Sequence, residues 1–581
     1  MLNALPDSAP QVLAFVDERA IGLPVSDLPT QINRVARVAF ESAAFYISGV
    51  AMATADAKPT AEAQRELSKL LIVDPEIAAG IDQALAAGRG SVVFAEQHLA
   101  ALARLAVKHA DRWRPENLEA ELRTLERALL GGSALAMGDT ERLTGEYMGA
   151  FDAVAFLVHN GAYYAREPLL EALARNAFLY QELATSADAR AHPEWRDLGA
   201  WARDRSGLTI TQQCAVGLAA LGSARVLDDH EKLQGRGVLS AAWAADVAER
   251  LGVPEERVLD AVSAGQVWYA DQFGEIESRY SLSEGAAAAG WTTSPFETKP
   301  FVRLQDGRLL LWSPRALTSW LTDGFYYRSL THAAELDDVS GFTSFNGWLV
   351  ERYAREIAEA VLPPTKPNGS GRALRSVRYS SPRGEVDSPD IALDYGQDLV
   401  FIEVRSGRLK LPTCLTGEPA RVQQDLGILI VEKAQQLSRR IDDYRDGRFE
   451  LDGVELEHVR RIWPVVLSGA TFLMAEMVYD WIIEQIGDHL HQATVQPLTV
   501  IDMADWEQLC GLLEGGRAAP DLLVRKTGGY RRLDWRRMVA DDPFLPSDAR
   551  ASAVVEKADA AFRRMLEGFG WDPGALDDAT P

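Results

Sequence analysis

Residues 388–410, SPDIALDYGQDLVFIEVRSGRLK, hold acidic and basic side chains at a spacing that one hairpin would bring together. Two apolar runs flank a Gly-centred turn, which is the pattern of a β-hairpin. With Gly396-Gln397 as the loop, Asp394 faces Leu399, Ala392 faces Phe401 and Asp390 faces Glu403. Side chains alternate faces along a strand, so Asp390, Glu403 and Arg405 share one face. Ile391, Leu393, Val400 and Ile402 fill the other, which is apolar enough to bury. Carboxylates set opposite each other in a ladder, with Cβ atoms about 4.5–5.5 Å apart, repel. A divalent cation offsets that repulsion, because hard metals take oxygen ligands. The spacing therefore predicts a Mg²⁺ (or Mn²⁺) site with a guanidinium beside it.

The segment resembles the catalytic hairpin of the PD-(D/E)xK nuclease superfamily. Pro389-Asp390 matches the first half of that motif and Glu403-Val404-Arg405 the second, with Arg405 where the family carries lysine. The resemblance extends at lower specificity over roughly residues 341–545. A helix before the hairpin, FNGWLVERYAREIAEAV (345–361), offers Glu351. A helix after it, VEKAQQLSRRIDDY (431–444), offers Lys433 and Gln436, and RIWPVVLSG (461–469) reads as a later strand. The resemblance implies a restriction-endonuclease-like fold and metal-dependent hydrolysis of DNA or RNA. It implies Asp390, Glu403 and the Val404 carbonyl as metal ligands. Arginine is permanently cationic and forks onto phosphate oxygens, but it does not accept a proton. Lys410 and Lys433 are the candidates for a relocated amine, with Gln436 beside Lys433 on the same helix face. Asp390, Glu403, Arg405, Lys410, Lys433 and Gln436 are thus the expected catalytic set. On a helical wheel Trp348, Leu349, Tyr353 and Ile357 form the apolar arc, and Glu351 reads as a solvated position pointing away from it.

The elements that must position these residues follow a change of texture along the chain. Residues 1–285 read as helical, with apolar residues at three- and four-residue spacing in stretches such as 95–113 and 117–131. They suit recognition of a partner, a nucleic-acid structure or a trigger. Residues 286–340 form a small α/β bridge, in which KPFVRLQDGRLLLWSP (299–314) reads strand, Asp-Gly turn, strand. Residues 341–545 form the nuclease-like unit, where PLTVIDM (497–503) is a further strand before the helix DWEQLCGLLEGG. Residues 546–581 make a C-terminal helix and a polar tail. The expected class is multidomain α+β: a large all-helical N-terminal region, then a C-terminal restriction-endonuclease-like α/β domain with a mixed sheet.

Charge narrows the partners. The formal net charge of −24 argues against attraction of nucleic acid to the whole surface. Basic residues are bunched, however. Lys366, Arg372, Arg375, Arg378 and Arg383 come without an intervening acid, and this run leads into the hairpin, where it would guide a phosphate backbone. The run 525–537 carries six basic residues and one acid, Asp534, and reads as a solvated face. Cys214, Cys414 and Cys510 are far apart and lack C-x-x-C spacing, which favours a reducing compartment over a disulfide framework. Neither a signal segment nor an apolar span long enough for a bilayer is read, so a cytoplasmic location and no membrane partner are expected.

Other chemistries find little footing. H-E-x-x-H, G-x-x-x-x-G-K-[ST] and G-x-S-x-G are all missing from the sequence. His489 and His491 lack companion ligands, and the aromatic pairs Tyr163-Tyr164 and Phe178/Tyr180 read as helix packing. The leading expectation is a metal-dependent nuclease, in bacterial defence or nucleic-acid processing by analogy. Its alternative is a catalytically inactive relative acting as a nucleic-acid-binding or protein-interaction scaffold, with the helical region docking a protein partner.

Overall fold

The computed structural model describes residues 16–55, 60–88, 92–137, 154–155, 169–225, 237–281, 293–366, 371–382, 384–469, 476–487, 490, 494–530 and 535–570. Arg383, His489, His491, Tyr163 and Tyr164 lie outside them. The protein is α+β, with helices dominating the N-terminal region and two larger sheets further along.

The N-terminal helices start where their sequences provide caps. Asp27 accepts from the Thr30 amide ahead of Leu28–Val35, Thr60 from the Ala63 amide ahead of Ala61–Leu71, and Asp74 from Glu76 ahead of Pro75–Ala86. The region is not all-helical as expected, because it supplies two short strands. These are β1 (Val238–Leu239) and β2 (Ser263–Ala264). They flank the hairpin of β3 (Phe301–Arg303) and β4 (Leu309–Leu311), giving a four-stranded sheet in the order β1-β4-β3-β2. Asp306-Gly307 turns that hairpin, with Gly307 at φ +86°. Two-residue strands carry too little alternation to be seen in sequence; they form because β3 and β4 leave both edges open. Phe301, Leu309 and Leu311 pack on one core and Val302 and Leu310 on another, so this sheet lies between two apolar cores.

The second sheet has five strands in the order β11-β10-β9-β8-β5. Its members are β5 (Arg372–Leu374), β8 (Ile391–Asp394), β9 (Asp398–Arg405), β10 (Arg461–Ser468) and β11 (Thr499–Asp502). β8 runs antiparallel to both β5 and β9, while β10 is parallel to both β9 and β11. It is a mixed sheet, as expected. The central β9, DLVFIEVR, is buried over all but its last residue, which requires cover on both faces. The long helix Val339–Val361 and the helix Met503–Glu514 cover one face, where Leu349, Tyr353, Ile357 and Trp506 share a core with Ile391, Leu393, Val400 and Ile402. The helix Glu432–Arg445, called here the lysine helix, covers the other. Leu437, Ile441 and Tyr444 meet Ala392, Leu399 and Phe401 there.

Between β5 and β8 stands a separate two-stranded ribbon, β6 (Arg378–Ser381) and β7 (Gly384–Asp387). Residues 169–185 dock on the long helix and the 503–514 helix. Arg175 lies fork-on-fork against Glu507 at 2.6 and 2.9 Å, and the same carboxylate accepts from Tyr353 Oη at 2.6 Å. Among the described residues no helix is long and apolar enough to cross a membrane.

Candidate active site

The hairpin adopts the register its sequence dictates. Asp394 pairs with Leu399 and Ala392 with Phe401, and Gly396, at φ +79°, turns the chain. The same register brings Asp390, one residue before β8, alongside the stretch of β9 that carries Glu403. The Asp390 Oδ2 atom accepts the Val404 amide at 2.8 Å. In an extended strand a residue's N–H and C=O point to one edge, so the Val404 carbonyl lies on the Asp390 side of β9.

Glu403 lies beneath the lysine helix and is 0% exposed. The cation beside it is not the expected guanidinium but an ammonium. Lys433 Nζ is 3.0 Å from Glu403 Oε2 and 3.8 Å from Asp390 Oδ2, so it joins the two acids. The turn Gly427–Val431, just before the lysine helix, is wider than an α-turn, with i→i+5 bonding. Such turns add a residue and rotate whatever follows them, which here is the lysine.

The electrostatics follow from burial. Burial, then the Asp390 charge, pushes the Glu403 carboxyl up to about 8, against the pull of Lys433. The Lys433 ammonium, although itself largely buried, is held above the ordinary lysine value by Glu403 and Asp390. Glu403 Oε1 is buried and, among the described residues, has no hydrogen-bond partner. An orphaned carboxylate oxygen is costly unless a proton or a cation supplies the missing contact.

Two further residues belong to the site: Arg355, which was not expected there, and Glu351, which the resemblance offers but the helical wheel placed in solvent. Arg355, on the long helix, donates to the Asp390 carbonyl from Nε at 3.2 Å and Nη2 at 2.9 Å, and Nη2 also meets Glu351 Oε1 at 2.6 Å. Glu351 is partly exposed (34%) yet lies close to Asp390, and burial together with that charge pushes its carboxyl up to about 7. Beside the resemblance that offers Glu351, the sequence signal for this pair is its i,i+4 spacing, which favours an ion pair on a helix.

The remaining expected residues divide. Lys410 turns to Asp425, with Nζ 3.4 Å from Oδ1, and its amide donates to the same carboxylate at 2.7 Å. It occupies the N-cap position of the helix Leu411–Thr416, and among the described residues it makes no ion pair with Asp390 or Glu403. Arg405 ends β9 with its Nε buried and, among the described residues, without a hydrogen-bond partner, and its charge opposes that of Lys433. Among the described residues Gln436 makes no hydrogen bond to either carboxylate, although it lies one turn beyond Lys433.

The basic run before the hairpin is broken up in the same way. Arg372 is not available to nucleic acid: it is buried, with Nε 2.9 Å from Asp394 Oδ2 and Nη2 2.7 Å from the Asp452 carbonyl. Lys366 donates to the Val361 carbonyl at 3.1 Å. Arg375 and Arg378 are exposed. Of the later run, Lys526 is buried against the Tyr530 carbonyl, and Arg536 reaches Asp502 at 3.1 Å and Asp505 at 3.3 Å.

The donor set can be tested against a metal. Among the described residues no group of three or more His, Cys, Asp or Glu side chains is gathered to hold an ion. Cations that need an all-protein cage are thus poorly served. Mg²⁺ dehydrates reluctantly and is commonly held by one or two carboxylates, with water and substrate phosphate completing an octahedron. Asp390, the unpartnered oxygen of Glu403 and the Val404 carbonyl fit that ion. Comparison of the chain with protein-family models, curated proteins and solved structures finds no match.

Proposed function

We propose that the protein is a metal-dependent phosphodiesterase acting on nucleic acid, with a site of the PD-(D/E)xK kind on a restriction-endonuclease-like core. The observation that carries this reading is the Lys433 ammonium standing between Asp390 and Glu403. It supplies, from a neighbouring helix, the amine that the hairpin lacks at Arg405.

Asp390, Glu403 and the Val404 carbonyl are the residues that would hold Mg²⁺ or Mn²⁺. Once bound, the ion supplies Lewis-acid polarisation of the phosphate and charge neutralisation. Lys433, kept protonated by its two acidic neighbours, donates to the attacking water or to a phosphate oxygen; it does not act as base. Arg405 stabilises the charge that gathers on the phosphate oxygens as the leaving bond breaks. Glu351, raised above the ordinary glutamate value by burial and by Asp390, is the side chain suited to accept the proton that the attacking water sheds. Arg355 fixes the backbone at Asp390, so it is a positioning residue.

Incubation with circular DNA, linear DNA and RNA in Mn²⁺ tests the reading. Cleavage is expected for the native protein, with loss in EDTA and in Glu403→Ala. Cleavage that persists undiminished in Glu403→Ala would show that another part of the chain, or a contaminant, is responsible.

A further inference from the structure

The repulsion between Asp390 and Glu403 is already offset by a cation of the chain itself. Lys433 Nζ stands 3.0 Å from Glu403 Oε2 and 3.8 Å from Asp390 Oδ2. Glu403 is 0% exposed, whereas the side chains of Lys433 and Asp390 are 15% and 17% exposed. The site therefore opens to solvent on the side of the ammonium. With both acids ionised, Asp390, Glu403, Lys433 and Arg405 together carry no net charge, and the paired Glu351 and Arg355 add none. A divalent cation ligated by Glu403 Oε2 at about 2.1 Å would lie within about 5 Å of Nζ in its present position. Positive charges that close, in a largely buried site, repel strongly. Ligation through Oε1 leaves the ion facing the same ammonium across one carboxylate.

We infer that Lys433 is the resident counter-ion of the metal-free site, and that a divalent cation displaces it from Glu403 and so frees the ammonium for the substrate phosphate. This rests on the metal-dependent reading above and adds an order of events to it. Without the ion, the ammonium holds two acids together that would otherwise repel. With the ion, both acids are neutralised, and the ammonium is left to find another anion, which the phosphodiester supplies. The lysine stem is flexible over four carbons, so Nζ can swing toward the open side while the helix stays packed on the sheet. The site binds its ion more weakly than two carboxylates alone would, because each ion must first break a buried, charge-assisted hydrogen bond. A lysine that merely braced the fold has the opposite consequence: its loss would loosen the acids and weaken the ion.

The test is Mn²⁺ titration by electron paramagnetic resonance, with thermal melting in EDTA and in saturating Mn²⁺, of full-length native, Lys433→Met, Lys433→Arg and Asp390→Asn proteins. Lys433→Met should bind Mn²⁺ about tenfold or more tighter than the native protein, since a unit positive charge has left the site. Lys433→Arg keeps that charge and should bind no tighter. In EDTA, Lys433→Met should melt below the native protein, and Mn²⁺ should raise its melting temperature by more than it raises the native one. Equal or weaker Mn²⁺ binding by Lys433→Met, an equal gain in Lys433→Arg, or a Lys433→Met chain that Mn²⁺ fails to fold would overturn the inference. If Asp390→Asn still weakens the ion, each of those results leaves the metal-dependent reading standing. No Mn²⁺ bound by either the native protein or Lys433→Met removes that reading and the inference together.

Discussion

Lys433 Nζ lies 3.0 Å from Glu403 Oε2, although the two residues are 30 positions apart and belong to different elements. One sits on the central strand and the other on the helix that covers it, so the contact is made only when the helix packs on the Asp390 face of the sheet. The functional reading hangs on this contact. It turns a hairpin with an arginine in the lysine position into a site with two acids and an amine.

The two acids should bind a divalent cation together. Mn²⁺ titration followed by electron paramagnetic resonance or calorimetry should find a site of millimolar affinity or tighter. Asp390→Asn should weaken it at least about tenfold, since the pair contributes much of the charge that holds a hard cation. Equal affinity in the variant would place the ion elsewhere.

Glu403 should make the metal-free protein less stable as pH rises. Its carboxyl goes from an ordinary 4.5 to about 8 in the fold. Between those values the folded state binds more protons than the unfolded one, so stability falls with increasing pH. A shift of this size corresponds to a few kcal/mol at most. Urea denaturation in EDTA across that range should show the decline, and Glu403→Gln should flatten it. A slope unchanged in Glu403→Gln would mean that other groups produce it.

Arg372 should matter to stability and not to nucleic acid. Its ion pair with Asp394 leaves the side chains 8% and 2% exposed. Removing one partner from a buried pair strands the other charge, at a cost of about 3–5 kcal/mol. Arg372→Ala should lower the urea midpoint accordingly, while the folded fraction keeps its affinity for DNA. Lost DNA binding without lost stability would return Arg372 to the basic stripe.

How far the sequence revealed all this depends on the range of the interactions involved. The register of β8 and β9 follows from the Gly396-Gln397 turn and from period-two alternation, both local, and the pairing of Asp394 with Leu399 was legible to the residue. The strands Arg461–Ser468 and Thr499–Asp502 were legible as short continuous apolar runs, which is also a local signal. Glu351 stands at the edge of the buried face because the long helix buries Val350, Ala354 and Ala358 as well as the Leu349, Tyr353 and Ile357 line. Packing on two sides widens its apolar arc and brings Glu351 to the boundary. The choice of Lys433 over Lys410 depended on the wide turn at 427–431 and on Asp425 capturing Lys410, and neither leaves a periodic trace. Arg372 looked like part of a stripe because its partner, Asp394, is identified only once β5 is known to pair with β8.

The most direct measurement is single-turnover cleavage of labelled duplex DNA in saturating Mn²⁺ by the native protein, Lys433→Met, Lys410→Ala and Glu403→Gln. Loss of the ammonium or of the buried carboxylate should cost about a hundredfold or more, as expected for a group that stabilises charge in the transition state. Lys410→Ala should cleave at the native rate. A native rate in Lys433→Met, or one lost in Lys410→Ala alone, would contradict the assignment of the site.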